Sequence, residues 1–572
     1  MLRPTKNNCR SIFLIVLLPM VIQALSYTSA LADVPPSRLV KDHLKKRVEL
    51  ASTQERFRCR GELICGVSQI PLFYQRRGFR PAWCSEKGIS PQAEYLIGEI
   101  KRADTEGLRP EDYHLAAILS LSDTIENIQS MGKKVHPGLW ADLDLILTDA
   151  FMLYASHLYA GRVNPETVHS DWTVSIQTID LTNILQLAAK ENQIEKVFTG
   201  FSPNHPGYSK LKAYLARYRS IEKKFQELPL LDLPLLRKGD QGRSVEDLCK
   251  RLIIFGDLHP DKRSRADIFD ETVERAVLKC QKRHGLKQDG IVGPQTLGVL
   301  NTPLQKRIRQ IELNMERWRW IPRDIGDRYL IVNIADFKLW VSKEGSRALD
   351  MRVVVGRPFR RTPVFSSRMT SIVINPYWHI PPRLAIEDIL PEIKKSYQYI
   401  EDQKIKVFKD WSSRSEEMDP KAIDWNRIEP ANFTYKLRQE PGPRNALGLM
   451  KFIFPNKFAV YLHDTPERSL FRETHRDFSS GCIRVEKPVS LAACILGGDP
   501  LWTREKIVEV LKSGMTQVVK IRKPIRVHIQ YWTAWVDETG RLNFRHDIYN
   551  RDEPLDRALK ERGPRTHFTP LY

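Results

Sequence analysis

Hydrophobic positions divide the chain into a helical N-terminal part and a strand-rich C-terminal part. From about residue 50 to residue 225, apolar residues recur mainly at helical spacing. Within this part, residues 143–159 are apolar on most faces, which predicts a buried helix. Residues 33–47, ahead of it, are polar and contain prolines, so we expect a short tether there.

A compact helical unit is predicted over residues 235–301, followed by an amphipathic connecting helix at 302–320. The glycines of the DGIVGP sequence at 289–294 permit positive φ and a tight reversal inside the unit. The pattern predicts one turn and three helical stretches, at residues 237–240, 245–256, 269–284 and 296–300.

After residue 326 the hydrophobic period changes from helical to strand-like. Residues 329–334 and 337–341 predict a hairpin that turns near Ala335. The last residues of the chain, 552–572, are charged, and we expect them to be peripheral. The fold class is therefore multidomain α+β with a mainly-β unit near its C-terminus. Further strands are predicted at 351–356, 446–454, 518–521, 525–536 and 542–549, and helices at 489–496 and 501–514.

The strand pattern is interrupted by roughly sixty residues, at about 381–441, that contain helical stretches. Most connections in compact domains are about 4–6 residues long, and much longer ones tend to be functional. We therefore expect a helical insert that covers a cleft and restricts the entry of water.

The N-terminus has the pattern of a Sec-type signal peptide. Arg3, Lys6 and Arg10 precede an apolar stretch at 11–25, which is too short for a membrane span of about 20 residues. The sequence ALA at 30–32 then predicts cleavage after Ala32. An uncleaved anchor is the alternative, and no later apolar run reaches 18 residues.

The chain is strongly basic, with a formal net charge of +21. Such a charge suits an acidic partner, which includes nucleic acid, an anionic wall polymer and a membrane surface. The sequence contains no compact Lys/Arg tract, zinc finger or RNA-binding aromatic motif, so we expect no nucleic acid partner.

The cysteines indicate a free thiol in an oxidising compartment. Cys9 leaves with the signal peptide, and an odd number of cysteines then remains. Cys482 is the natural candidate for a thiol with a use. Cys59 with Cys65, or either with Cys84, could form a disulfide, and the sequence leaves the pairing open.

A Cys–His pair is the candidate chemistry. An apolar run at 451–462 leads to His463, and a polar loop follows before the sequence SSGCIRV at 479–485. A Cys beside a Gly at a strand–loop junction suits a thiolate nucleophile, and a His within reach lowers the thiol pKa and acts as its base. Arg484 shares a strand face with Cys482. The alternative is a buried Cys and a structural His.

These residues resemble the active-site motif of L,D-transpeptidases, the YkuD-domain enzymes, and most closely their large multidomain periplasmic YcbB-type branch. The resemblance rests on His463, the 19 positions from it to Cys482, the S-x-G-C core and the following Ile-Arg. Ser480 stands where many members have a second His. The base role therefore falls on His463.

The resemblance extends to the other regions. The stretches at 73–83 and 107–113 resemble the helical scaffold of the large enzymes, and the turn at 289–294 resembles the three-helix peptidoglycan-binding domain 1. The insert resembles their capping subdomain. The expected divisions are a signal peptide (1–32), scaffold (33–234), peptidoglycan-binding-like bundle (235–301), connecting helix (302–326), catalytic domain (327–536) and C-terminal extension (537–572).

The resemblance implies a mechanism and roles for individual residues. Cys482 would be the nucleophile and form a thioester with the third residue of a tetrapeptide stem. His463 would be the proton acceptor and donor, its ring oriented by a backbone carbonyl, and the Gly481 backbone would donate to the oxyanion. The implied substrate-binding residues are Arg484, Tyr461, Ser479 and Trp378.

The implied ligands are peptidoglycan stem peptides and glycan, with 3-3 cross-links as product and carbapenem-type β-lactams as covalent inhibitors. No cofactor is expected. No metal is expected either, because the spacings of His463, His475 and Cys482 match no zinc site. We expect His475 to face solvent. The alternatives are an L,D-carboxypeptidase or endopeptidase that uses water, and a non-catalytic wall-binding protein. The acceptor, the oligomeric state and glycan binding by the bundle stay open.

Overall fold

A computed structural model describes residues 36–561, apart from 55, 86, 174–178, 261–264 and 266, together with residue 563. The predicted signal peptide lies outside the described residues. Within them, no helix combines the length and the apolar character that crossing a membrane requires. The predicted fold class is confirmed, because a helical N-terminal region leads into a sheet-rich domain.

The N-terminal region consists of helices around one buried helix. This helix, α5, is buried along nearly its whole length, as its sequence predicts. The expected tether is wrong, because α1 begins at Pro36 and places Val40, Leu44 and Val48 in the same core as α5. The helices are α1 (Pro36–Thr53), α2 (Ile70–Arg76), α3 (Pro91–Lys101), α4 (Leu115–Ser130), α5 (Pro137–Ala160), α6 (Leu181–Glu191), α7 (Ile194–Phe201) and α8 (Pro206–Phe225), with two small hairpins of β1 (Arg58–Cys59), β2 (Glu62–Leu63), β3 (Cys84–Ser85) and β4 (Gly88–Ile89).

A three-helix bundle and a long helix follow. The bundle consists of α9 (Arg243–Phe255), α10 (Glu271–Arg283) and α11 (Pro294–Leu300) around a small apolar core. The next helix, α12 (Leu304–Arg319), is not the amphipathic connector that the pattern predicts. It is buried on most faces, since its charged side chains, such as Arg317 and Arg319, pair with partners inside the protein.

The catalytic-type domain is built on a nine-stranded sheet in the order β15-β7-β16-β14-β13-β8-β17-β5-β6. The predicted hairpin is confirmed by the antiparallel register of β5 and β6. The strands after residue 326 are β5 (Arg328–Asn333), β6 (Lys338–Lys343), β7 (Ser346–Gly356), β8 (Phe365–Ile374), β9 (Trp378–His379), β10 (Ile405–Phe408), β11 (Glu417–Met418), β12 (Lys436–Gln439), β13 (Met450–Ile453), β14 (Leu462–His463), β15 (Asp477–Ser479), β16 (Ile483–Val485), β17 (Gln517–Gln530), β18 (Ala534–Val536) and β19 (Leu542–Phe544).

The insert, called the cap below, is mixed rather than only helical. A sheet in the order β11-β10-β12-β9 carries its own apolar core, which includes Ile380, Ile393 and Leu437. The strands are short and separated by charged turns, so the hydrophobic pattern did not reveal them. The helices after residue 381 are α13 (Pro382–Leu384), a π-helical turn (Ala385–Ile389), α14 (Leu390–Lys395), α15 (Gln398–Asp402), α16 (Pro488–Leu496), α17 (Arg504–Ser513) and α18 (Asp552–Glu561).

The C-terminal segment is not peripheral within its described residues. Leu555, Ala558 and Leu559 of α18 lie in the main core with the sheet residues. Arg551 is fully buried and pairs with Asp171 at 2.5 Å, and Asp552 pairs with Arg317 at 2.6 Å. The segment is charged because it supplies the partners of buried arginines.

Candidate active site

Two adjacent strands bring the predicted motif together. Strands β14 and β16 are parallel neighbours, with Leu462 opposite Ile483 and His463 opposite Arg484. Leu462 and Ile483 are fully buried in the core. Because side chains alternate along a strand, Tyr461, His463, Cys482 and Arg484 project together from the other face.

The loop before Cys482 is shaped by local hydrogen bonds. Gly481 has a φ of +113°, a region that other residues rarely adopt, so glycine is required at this turn. Ser479 Oγ donates to the Cys482 carbonyl at 2.5 Å and accepts from the Gly481 N–H at 3.2 Å. Ser479 therefore orders the loop, and the Gly481 N–H is engaged by it.

Two residues that the sequence reading missed brace the same loop. Thr362 Oγ1 donates to the Gly481 carbonyl at 2.9 Å and accepts from the Gly356 N–H at 2.9 Å. Tyr549 accepts from the Thr362 N–H at 3.2 Å and donates to the Gly356 carbonyl at 2.5 Å. No motif could have shown this, since Tyr549 is remote in sequence from the loop.

His463 is held as a neutral base. Its ring is 6% exposed, and Nδ1 lies 2.6 Å from the Asp464 carbonyl. A carbonyl only accepts, so Nδ1 carries the proton and Nε2 keeps its lone pair. Burial and then the Arg484 charge lower the pKa of His463 to about 3.

The thiol of Cys482 is half-buried and its pKa is raised, chiefly by burial. Hydrogen bonds from the Tyr461 backbone and phenol, and the charges of Lys451 and Arg484, lower this pKa in part. The raised pKa of the thiol and the lowered pKa of the His463 imidazole favour the neutral form of both groups.

Tyr461 connects the site to the cap. Its ring lies 5.7 Å from that of His463 in an edge-on arrangement, and its phenol bonds to Trp378 as well as to Cys482. Trp378 lies on β9, at the root of the cap, and packs against the cap core. The Lys451 ammonium lies 3.9 Å from the centre of the Tyr461 ring.

Three further polar residues of the motif and its loop have defined positions. Arg484 Nη1 donates to Glu467 at 2.5 Å. Ser480 is exposed, and its hydroxyl accepts from Arg360 at 2.7 Å. His475 is exposed, as predicted, and takes no part in the site.

A cavity of about 510 Å³ adjoins the loop at Ser480. Arg360, in its wall, also pairs with Glu387 and Asp388 of the cap at 2.6 Å each. Arg360 therefore ties the cap to the loop before Cys482. The cavity is lined by Ser170, Asp171, Pro358, Phe359, Arg360, Arg361, Arg383, Leu384 and Ser480.

The disulfide that the sequence left open is not formed. No disulfide joins Cys59, Cys65 and Cys84 to one another or to another described cysteine. Burial and the Asp142 charge raise the pKa of Cys59 to about 12, so this thiol is inert at neutral pH.

Three family models match the chain in succession. Residues 68–215 match a scaffold domain, and residues 241–300 match a model described as "Putative peptidoglycan binding domain". Residues 327–510, which contain the site described above, match the L,D-transpeptidase catalytic domain, YkuD.

Similar curated proteins cover parts of the chain. A Haemophilus influenzae protein named "Putative L,D-transpeptidase" is 38% identical over 250 residues, 44% of this chain and 49% of its own length. A Bacillus licheniformis protein named "Probable N-acetylmuramoyl-L-alanine amidase" is 42% identical over 62 residues, 11% of this chain and 17% of its own length. The chain thus spans about half of the first relative and less of the second.

Among solved structures, an L,D-transpeptidase from Stackebrandtia nassauensis is similar over 53% of this chain and 96% of its own, at 14% identity and a TM-score of 0.20. The assignment of the domains rests on the three family matches. The chain matches the YkuD model over residues 327–510. It carries an L,D-transpeptidase catalytic domain together with a scaffold domain and a peptidoglycan-binding domain.

Proposed function

We propose that the chain is a peptidoglycan L,D-transpeptidase that forms 3-3 cross-links through a thioester on Cys482. The observation that carries this is the parallel pairing of β14 and β16, which places the Cys482 thiol and the His463 imidazole on one face of adjacent strands. The catalytic-domain match supports the same reaction class.

The first step is acylation of the thiol. His463 Nε2 takes the thiol proton as the sulfur attacks the carbonyl of the third stem residue. The amide bond to the terminal D-amino acid breaks, and the proton passes to the departing amine. In the second step the side-chain amine of another stem attacks the thioester, gives its proton to His463, and the thiol is restored.

The oxyanion is assigned to backbone donors at the nucleophile loop. The Gly481 N–H serves only if its 3.2 Å bond to Ser479 is exchanged for one to the substrate. The neighbouring Cys482 N–H, at the start of β16, is the second donor.

The wall of the site is assigned to the predicted substrate-binding residues. Tyr461 and Trp378 form one side. Arg484 keeps a buried Nε–H that lacks a partner among the described residues, so it can still donate to a stem peptide beside its pair with Glu467. Ser479 acts indirectly, by ordering the loop.

The setting follows from the same proposal. Peptidoglycan lies outside the cytoplasmic membrane, so residues 1–32 act as a cleaved signal and the enzyme works in the periplasm without a membrane span of its own. The net charge of +21 favours approach to the anionic wall.

Intact mass after incubation with a carbapenem tests the nucleophile. We expect one adduct on the wild type, its loss in Cys482→Ala, and its retention in Cys494→Ala, which removes another half-buried thiol. His463→Ala should slow adduct formation by about 100-fold or more, as expected when a general base is removed. An adduct that persists without Cys482 would overturn the assignment.

Incubation with disaccharide-tetrapeptide then identifies the acceptor. We expect cross-linked dimers, detected by mass spectrometry of the muropeptides. Tripeptide alone would show that water is the acceptor and that the chain is an L,D-carboxypeptidase.

A further inference from the structure

The floor of the site holds a lysine that no motif singled out. Lys451 lies on β13, directly opposite His463 on β14, and so projects from the same face as the thiol and imidazole. Its ammonium leans over the Tyr461 ring, 3.9 Å from the ring centre. Tyr461 in turn bonds to the Cys482 sulfur, so Lys451 reaches toward the reacting atoms.

Arg484 and Arg360 form ion pairs with carboxylates, and Lys451 differs from them in this respect. Arg484 is paired with Glu467, and Arg360 with Glu387 and Asp388. Among the described residues, no carboxylate pairs with Lys451. Burial lowers the pKa of its ammonium, which agrees with a charge that is poorly solvated and unpaired.

The residues around Lys451 add positive charge and do not neutralise the charge of its ammonium. After burial, the charges of Lys436, Arg438 and Lys451 lower the pKa of His379 on β9. A half-buried cation without a partner costs stability, and a cation–π contact recovers only part of that cost. An anionic ligand would supply the missing partner.

We propose that Lys451 is the binding residue for the C-terminal carboxylate of the donor stem peptide. This inference rests on the proposed transpeptidase function and adds the recognition of one substrate group. The carboxylate of the terminal D-amino acid lies one residue beyond the carbonyl that the sulfur attacks. A cation that leans over Tyr461, next to that sulfur, is placed to receive it.

A pair of synthetic stem tetrapeptides, one with a free C-terminal carboxylate and one with a C-terminal carboxamide, tests the proposal. The quantity measured is the ratio of their kcat/KM values for release of the terminal residue. We expect the wild type to prefer the free acid by about tenfold or more, the size of a charge-assisted hydrogen bond. Lys451→Gln should bring the ratio close to one, and Lys451→Arg should keep part of the preference.

The ratio separates recognition from reactivity. Loss of the Lys451 charge also changes the Cys482 thiol, but both peptides meet the same thiol, so this effect cancels. Lys457→Gln is the matched control, because Lys457 makes its own cation–π contact with Phe458, 5.2 Å away, outside the site. It should keep the wild-type ratio.

The two failures are distinguishable. A wild type that releases no terminal residue from either peptide overturns the proposed function. A wild type that cleaves both peptides without preference, or a Lys451→Gln variant that keeps the full preference, overturns the assignment of Lys451.

Discussion

The imidazole of His463 owes its basic form to two local features. The Asp464 carbonyl holds the proton on Nδ1, and burial with the Arg484 charge disfavours a second proton. A base with a lowered pKa stays neutral across the physiological range. The proposed mechanism therefore starts from a neutral imidazole, which differs from a preformed thiolate–imidazolium pair.

The pH dependence of acylation should report this imidazole. The reactive neutral form of His463 exists above its pKa of about 3, so we expect the carbapenem acylation rate at pH 5 to stay close to its value at pH 7. Arg484→Ala removes a charge that lowers this pKa, so the acid limb of the rate profile should move to higher pH.

Lys487→Ala is the control for charge loss, since Lys487 is exposed near the end of β16. An acid limb that stays in place in Arg484→Ala would contradict the electrostatic account of His463.

At the scale of elements, α12 and α18 hold each other through buried charge. Arg317 of α12 is fully buried and binds Asp552, the first residue of α18, at 2.6 Å. Arg551, just before α18, binds Asp171 of the N-terminal region at 2.5 Å. The C-terminal segment thus joins the scaffold, the long helix and the sheet.

Asp552→Ala should therefore destabilise the protein strongly. It leaves the buried Arg317 without its carboxylate, and removal of one partner of a buried pair costs about 3 kcal/mol or more. Glu553→Ala, one residue on, removes only an exposed pair with Arg557 and should cost less than about 0.5 kcal/mol. Denaturant unfolding of both variants, followed by tryptophan fluorescence, makes the comparison. Equal stabilities would refute the buried-pair account.

At the scale of the whole molecule, the cap is a separate unit attached beside the nucleophile. Its two chain crossings lie side by side, since Trp378 pairs with Gln439 and Asn445 bonds to the Pro376 carbonyl at 3.0 Å. Arg360 links its π-helical turn to Ser480. In the proposed reaction, we expect a cap attached in this way to shield the thioester from water while the acceptor enters.

Replacing residues 380–437 by a short Gly-Ser linker should raise hydrolysis relative to cross-linking several-fold. Arg360→Ala, which loosens the cap and keeps its core, should give an intermediate ratio of tripeptide to dimer. Muropeptide analysis provides the ratio for each variant. A folded cap-deleted variant with an unchanged ratio would rule out a shielding role.

Several features follow from the sequence because they depend on neighbours along the chain. Alternation of apolar residues predicted the hairpin of β5 and β6, and continuous apolarity predicted the buried α5. The sequence also predicted His463 and Cys482 as neighbours because the motif carries both residues within one short stretch, and the structure places them at adjacent strands. Their catalytic roles stay predictions.

Other features were decided only by the tertiary structure, because they join residues that are distant in sequence. The β14–β16 register sets which side chains share the face with Cys482, and β13 adds Lys451 to it. Tyr549 reaches the nucleophile loop from the far C-terminus. The charged residues of the C-terminal segment predicted that it is exposed, but Arg551 beside it is fully buried and paired with Asp171. The sequence does not distinguish a buried charge from a surface charge, because the partner that allows burial is distant along the chain.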